Sequence, residues 1–237
     1  MRRTLAVFTI LSAVAGALTL AAPREARVVW QIVTGAIVAP SVAEGAVFAE
    51  AGSDAAALIA AAEAQVGITR IYDGGYVALE FPGGDVPASR GVCTDVIIRA
   101  LRDALSIDLQ LAVNRDMSKN FAVYPANWGL SRPDRNIDHR RVQNLARLFE
   151  RLGASQPIGT EPADFLPGDI VATMLPGNLP HILIVTHRAS ADGLRPLVVH
   201  NIGAGTRVED RLFEFPITGH YRLSPEVLAQ LRRLGSP

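Results

Sequence analysis

The chain predicts an α+β domain, with helices first and an antiparallel sheet after them, and three observations carry that prediction. Apolar residues recur at helical spacing around 94–105 and 138–152. From residue 169 onward the period becomes that of strands. The spacers between those strands are short, which favours antiparallel neighbours over parallel crossovers.

Composition bounds the rest. The chain has 237 residues, of which 49% are hydrophobic and 6% aromatic, a balance that suits a folded core and excludes a disordered chain. Its formal net charge is zero, so no overall field draws it to nucleic acid or to an anionic lipid surface, and nucleic acid is not an expected partner. The N-terminus reads as export machinery. Arg2 and Arg3 precede an apolar run over 4–22, and Arg24 and Arg27 precede a second one over 28–39, ending in Pro40-Ser41-Val42-Ala43. The first run is close to the roughly 20 residues of a membrane span. Residues 1–49 are therefore expected as a signal peptide or membrane anchor with its linker, and 50–237 as the folded domain. Either leader places that domain in the periplasm or outside the cell, with membrane contact only through the anchor.

The first expected helix covers 54–66, with Ser53 as N-cap and Gly67 as stop. Residues 72–91 are dense in Gly and Pro and read as turns. A helix over 94–105 follows, its stripe formed by Ile97, Leu101 and Leu105 with Ile98 and Ala104 beside it. Residues 114–136 read as a loop. An amphipathic helix over 138–152 comes next, with Val142, Leu145, Phe149 and Leu152 on one side, Asp138 at the cap and Gly153 at the stop. Strands are expected over 169–174, 181–186 and 197–201, with a last short piece around 220–223.

The chemistry centres on Cys93, the one cysteine in the chain. Exported proteins tend to pair cysteines in disulfides, and this one has no partner within the chain. It stands at the head of the 94–105 helix, where the partial positive charge of the helix end favours a thiolate and first-turn amides suit an oxyanion. Gly91, two residues upstream, fits a close approach to that helix. A nucleophilic thiol also needs a base. Of the five histidines, His181 opens an aliphatic strand directly after Pro180 and is the expected base. His200 ends the strand Leu197-Val198-Val199-His200-Asn201, and either His200 or Asn201 suits the orienting role, since adjacent side chains face opposite ways. His200 is preferred because Asn201 heads a turn. His187 is about 20 Å along the strand from His181, too far to share its site. His139 and His220 read as surface or packing residues.

Several segments carry a resemblance. Pro167-Gly168-Asp169-Ile170-Val171, Pro180-His181-Ile182-Leu183-Ile184-Val185 and Val198-Val199-His200 resemble the strand series of the NlpC-type, papain-like cell-wall cysteine peptidases. Gly91-Val92-Cys93-Thr94-Asp95-Val96, Asn136-Ile137-Asp138-His139-Arg140-Arg141-Val142 and His200-Asn201-Ile202-Gly203 resemble the uncharacterised bacterial domain-of-unknown-function family 1287 (DUF1287), over roughly 55–223. The likeness implies a papain-like fold in which the cysteine helix packs on an antiparallel sheet, with Cys93 as nucleophile, His181 as base and His200 as orienter. It implies amide hydrolysis of peptidoglycan stem or cross-link peptides, with no cofactor. The superfamily's Asp-Cys-Ser-Gly is replaced here by Val92-Cys93-Thr94-Asp95. It also places a tyrosine before the cysteine, for which Tyr72 and Tyr76 are candidates. The expected substrate contacts are Tyr76, Asp95 and Arg140, the arginine because a cation there suits a stem carboxylate. Acyl transfer through the same intermediate, a zinc site built on Cys93, His181 and His200, and a non-catalytic wall-binding module are the competing readings.

Overall fold

The structure, a computed structural model, describes residues 47–236, so the expected leader lies outside the described residues. Among the described residues no helix is long and apolar enough to cross a membrane. The described chain begins against the sheet. Val47 forms an isolated bridge with Arg188, and Phe48 N–H donates to His187 O at 2.7 Å.

Helix α1, Ser53–Glu63, buries Leu58, Ile59 and Ala62. Its cap is Gly52 rather than Ser53, and it ends earlier than residue 66. Beyond Glu63 the chain turns, and the buried Gln65 side-chain amide donates to Val96 O at 3.0 Å. The Gly-rich loop then forms two two-residue strands, β1 (Ile71–Tyr72) and β2 (Arg90–Gly91), paired in parallel. Helix α2, Cys93–Leu105, buries every residue of its first two turns. It ends at Ser106, whose left-handed backbone (φ 55°) donates to Arg102 O while Ile107 N–H reaches Leu101 O.

Residues 114–136 are not all loop. Helix α3 runs Leu109–Asn120, capped by Asp108, whose carboxylate accepts from Gln110 N at 2.8 Å and Leu111 N at 3.2 Å. Its polar second half hid it, because Asp116 sits on the buried face. That carboxylate is met there by Tyr124 Oη and Arg151 Nε, each at 2.7 Å. The helix expected over 138–152 is split. Asp138–Arg140 form a 3-10 turn, Arg141 is extended, and α4 covers Val142–Arg151. Asp138 caps the turn before it instead, accepting Asp134 N at 2.6 Å.

The sheet holds β3 (Ile170–Leu175), β4 (Leu179–Ala189), β5 (Pro196–Asn201), β6 (Thr206–Glu209) and β7 (Ile217–Tyr221). All its pairings are antiparallel and the spatial order is β6-β5-β4-β3-β7. The first four strands meander. The last crosses to the far edge and pairs with β3, so it does not follow its predecessor in space. A fifth helix, α5 (Pro225–Gly235), follows, with Ser224 as cap and Val227, Leu228 and Leu231 buried. The sheet separates two cores. Ile170, Ala172, Ile182, Ile184 and Val199 face the helices, together with Cys93, Ile97, Leu101 and Phe149. Val171, Leu183, Val185 and Val198 face the other way, under Phe165 and Leu212. Among the described residues, the five α-helices and the five-stranded antiparallel sheet are the α+β class that the residue patterns predict.

Candidate active site

Helix α2 begins at Cys93 itself, after an extended Val92. Asp95 makes that start possible, its Oδ2 accepting Val92 N–H at 2.7 Å. The same carboxylate is gripped by Arg140, Nε to Oδ1 at 3.0 Å and Nη2 to Oδ2 at 2.9 Å, in a pair whose side chains are 2% and 3% exposed. Arg140 also donates to Asp73 O at 3.0 Å and Gly75 O at 3.3 Å, and Thr94 Oγ1 donates to Arg140 O at 3.0 Å. Asp95 and Arg140 thus hold the loop to the helix head through this buried pair. A second buried arginine does similar work: Arg99 bonds Asp85 through two nitrogens and donates to Val86 O and Arg90 O.

Gly91 passes close to the head of α2. A Cβ there would stand 3.0 Å from Asp95 Oδ2 and 3.2 Å from Arg99 Nη1. Gly91 O accepts from Asn201 Nδ2 at 3.0 Å, and Asn201 Oδ1 accepts from Gly203 N at 3.2 Å. Asn201 therefore ties the cysteine loop to the end of β5.

In β1, Tyr72 pairs with Gly91, and its hydroxyl bonds the Cys93 sulfur. Tyr76 does not reach the thiol. It is 61% exposed, donates to Asp134 Oδ2 at 3.1 Å and accepts from Asn136 Nδ2 at 2.9 Å. Of the two candidate tyrosines, the structure brings Tyr72 to the cysteine and leaves Tyr76 apart.

The thiol is 3% exposed. Burial pushes its pKa up to about 11, helped by the Asp95 charge and opposed by the amides of Ile182 and Thr94 and by Tyr72. That reverses the expectation of a thiolate favoured by the helix end.

His181 and His200 come together. His181 Nε2 and His200 Nδ1 are 2.9 Å apart, the rings edge-on at 74°. His200 Nε2 lies 3.1 Å from Glu209 Oε2, and Arg211 Nε meets the same oxygen at 2.8 Å. Burial, followed by the neighbouring His200 and Arg211, drives the His181 pKa well below its ordinary value. For Glu209, burial works upward, but the His200 bond and the Arg211 and Arg207 charges outweigh it and hold the carboxyl at about 2. Sequence reasoning missed Glu209 because β6 is a short strand with no apolar alternation to announce it. Cys93 meets β4 at its start: the amide on the sulfur belongs to Ile182, the residue after His181. Ile182 shares the helix-side core with Cys93, so alternation turns His181 away from the thiol, toward the face of Thr173 and Leu183; His200 lies on that face with Val198, and Glu209, the register partner of Val198, stands diagonal to His200.

The remaining histidines are buried or lie outside this group. His220 bonds Asp169 Oδ2 at 2.7 Å and Pro157 O at 3.0 Å, and Asp169 is also held by Arg222. Among the described residues no three His, Cys, Asp or Glu side chains converge as metal ligands, so the zinc reading has no donor set there.

An α+β molecule with a buried thiol at a helix head and an imidazole pair backed by a carboxylate on the facing sheet is the class of protein that fold and site define. The chain belongs to the family described as Domain of unknown function (DUF1287), whose model matches residues 59–223. It is similar to a protein of Escherichia coli (strain K12) described as uncharacterized protein YijF, 53% identical over 161 residues, which are 68% of this chain and 78% of that one. No solved structure matches. None of these comparisons bears on the likeness to NlpC-type peptidases.

Proposed function

We propose that the domain is an exported, papain-like cysteine hydrolase of the NlpC type, cleaving amide bonds in peptidoglycan peptides. One observation carries the reading: the thiol at the head of α2 lies against the Ile182 amide, one residue along β4 from His181. His181 is paired with His200 at 2.9 Å on the opposite face of that strand, so its ring must swing to the thiol's side before attack. Because burial raises the thiol and lowers His181, the resting pair is uncharged. The proton then moves during attack rather than before it. Sulfur bonds to the carbonyl carbon as its proton passes to His181, once that ring has turned to the thiol's face of the strand. The proton goes on to the leaving amine as the C–N bond breaks, leaving an acyl-enzyme. Water, deprotonated by His181, releases the acid and restores the thiol. The Thr94 amide, in the first turn of α2, is suited to the oxyanion.

Incubating purified peptidoglycan with the wild type and with Cys93→Ala, then reading muropeptides by mass spectrometry, tests the proposal. New peptide termini should appear with the wild type alone, and His181→Ala should abolish them too. Identical profiles from wild type and Cys93→Ala would remove the hydrolase reading.

A further inference from the structure

One cavity shares no lining residue with the thiol or the imidazole pair. It holds about 440 Å³, within the size range of small-ligand sites, and opens between the loop that carries Tyr76 and the segment over 130–136. Buried Gln110 fixes its walls: Nε2 donates to Glu80 O at 2.9 Å and to Arg135 O at 3.0 Å, while Oε1 accepts Gly84 N–H at 3.0 Å. Leu79 N–H adds a bond to Asn136 Oδ1 at 2.9 Å. The Asp134 carboxylate is turned onto its own loop, accepting Tyr76 Oη at 3.1 Å and Asn136 N–H at 2.9 Å. Three lining side chains keep donors unspent. Arg132 and Arg135 are exposed, and neither guanidinium has a hydrogen bond or ion pair among the described residues; Arg135 only stacks on Phe81, its Cζ 5.5 Å from the ring centre. The side-chain amide of Asn114, half-buried on α3, is also without a partner among the described residues.

A guanidinium is always charged and only donates, in a planar fork that matches the two oxygens of a carboxylate. Two such cations against the one Asp134 carboxylate leave the cavity lining with a single positive charge in excess. A carboxylate neutralises that excess, whereas a phosphate dianion would overfill it. Leu130, 38% exposed, and Pro133 supply an apolar wall for a short aliphatic chain. We propose that this cavity binds a carboxylate carried on a short aliphatic chain, either an acidic side chain of a peptide or a free dicarboxylic acid, with Arg132 and Arg135 as its cations and Asn114 as a further donor. The site draws on none of the groups that serve the proposed hydrolase. It is joined to them only through the chain, because Arg140, at the head of α2, also donates to Asp73 O and Gly75 O just before Tyr76.

Two-dimensional NMR of the nitrogen-15-labelled full chain, titrated with a capped tripeptide that has a central glutamate between alanines, tests this. The side-chain signals of Asn114, Arg132 and Arg135 should shift and saturate. The same tripeptide with a central glutamine should bind at least about tenfold more weakly, and Arg132→Gln should weaken the glutamate peptide by about as much, the loss expected when a charge-assisted hydrogen bond goes. Arg132 is exposed and unpaired among the described residues, so its variant should keep the wild-type urea midpoint. Arg233→Gln makes the same change of net charge at an exposed position on α5 and should leave the affinity unchanged. Glutarate separates the two sources: affinity equal to the peptide's assigns the site to a free acid, and weaker binding assigns it to a peptide. Shifts that never saturate, equal affinity for the glutamine peptide, an equal loss in Arg233→Gln, or tighter binding of inorganic phosphate would overturn the inference. No cleavage is read, so binding without Cys93-dependent cleavage defeats the hydrolase reading alone, and cleavage without binding defeats this inference alone.

Discussion

At the scale of single residues, Cys93 shows two electrostatic effects of unequal size. A helix N-terminus is worth about 0.3–1 kcal/mol to an anion, less than one pKa unit, whereas full burial shifts a group by up to about 3–5 units. Burial wins, and the thiol sits at about 11. Alkylation by iodoacetamide should therefore rise steadily above pH 9 with no plateau near neutrality; a midpoint below 8 would show that the resting thiol is already ionised. The Tyr72 hydroxyl bond pulls the other way, lowering the thiol's pKa. Tyr72→Phe should move the alkylation profile to still higher pH.

At the scale of elements, the loop ahead of the nucleophile is held by buried ion pairs rather than by regular structure. Arg140 and Asp95 join that loop to the head of α2 with almost no solvent contact. Removing one partner of such a pair strands a buried charge. Asp95→Ala should cost about 3–5 kcal/mol of unfolding free energy, read from the urea midpoint at constant slope. The Arg90 and Asp73 side chains are 45% and 35% exposed and pair at 2.9 Å. Arg90→Ala should cost only about 0–1 kcal/mol in the same measurement. An equal loss in both variants would refute the contrast.

At the scale of the whole molecule, neutral buried histidines set the response to acid. Burial lowers His139 to about 3, its Nδ1 has no hydrogen-bond partner among the described residues, and His181 is also driven well below its ordinary value. A base whose folded pKa lies below its unfolded value of 6.5 binds its proton more readily when unfolded. Its neutral form therefore supports the fold above pH 6.5, and that support is lost as pH falls from 6.5 toward 3. Glu209 adds a second loss at lower pH, between its usual 4.5 and its folded value of about 2. Urea midpoints should fall from pH 7 downward. His139→Phe should shallow the slope between 6.5 and 3, and an unchanged slope would mean that His139 is not the proton's destination.

The α+β class, the placement of Cys93 at a helix head and the strand positions of His181 and His200 were legible in the sequence, because hydrophobic period reports which face of an element is buried. Helix α3 was not legible, since Asp116 is buried only by virtue of Tyr124 and Arg151, partners distant from it in the chain or on other elements. The same holds for the choice of Tyr72 over Tyr76, for the burial of Asp95 and Arg140 in an internal ion pair, and for Glu209 behind His200. Local pattern determines secondary structure; which polar groups meet, and whether water reaches them, depends on contacts between segments far apart in the chain. Only the tertiary structure decides those contacts, and with them the ionisation of the thiol.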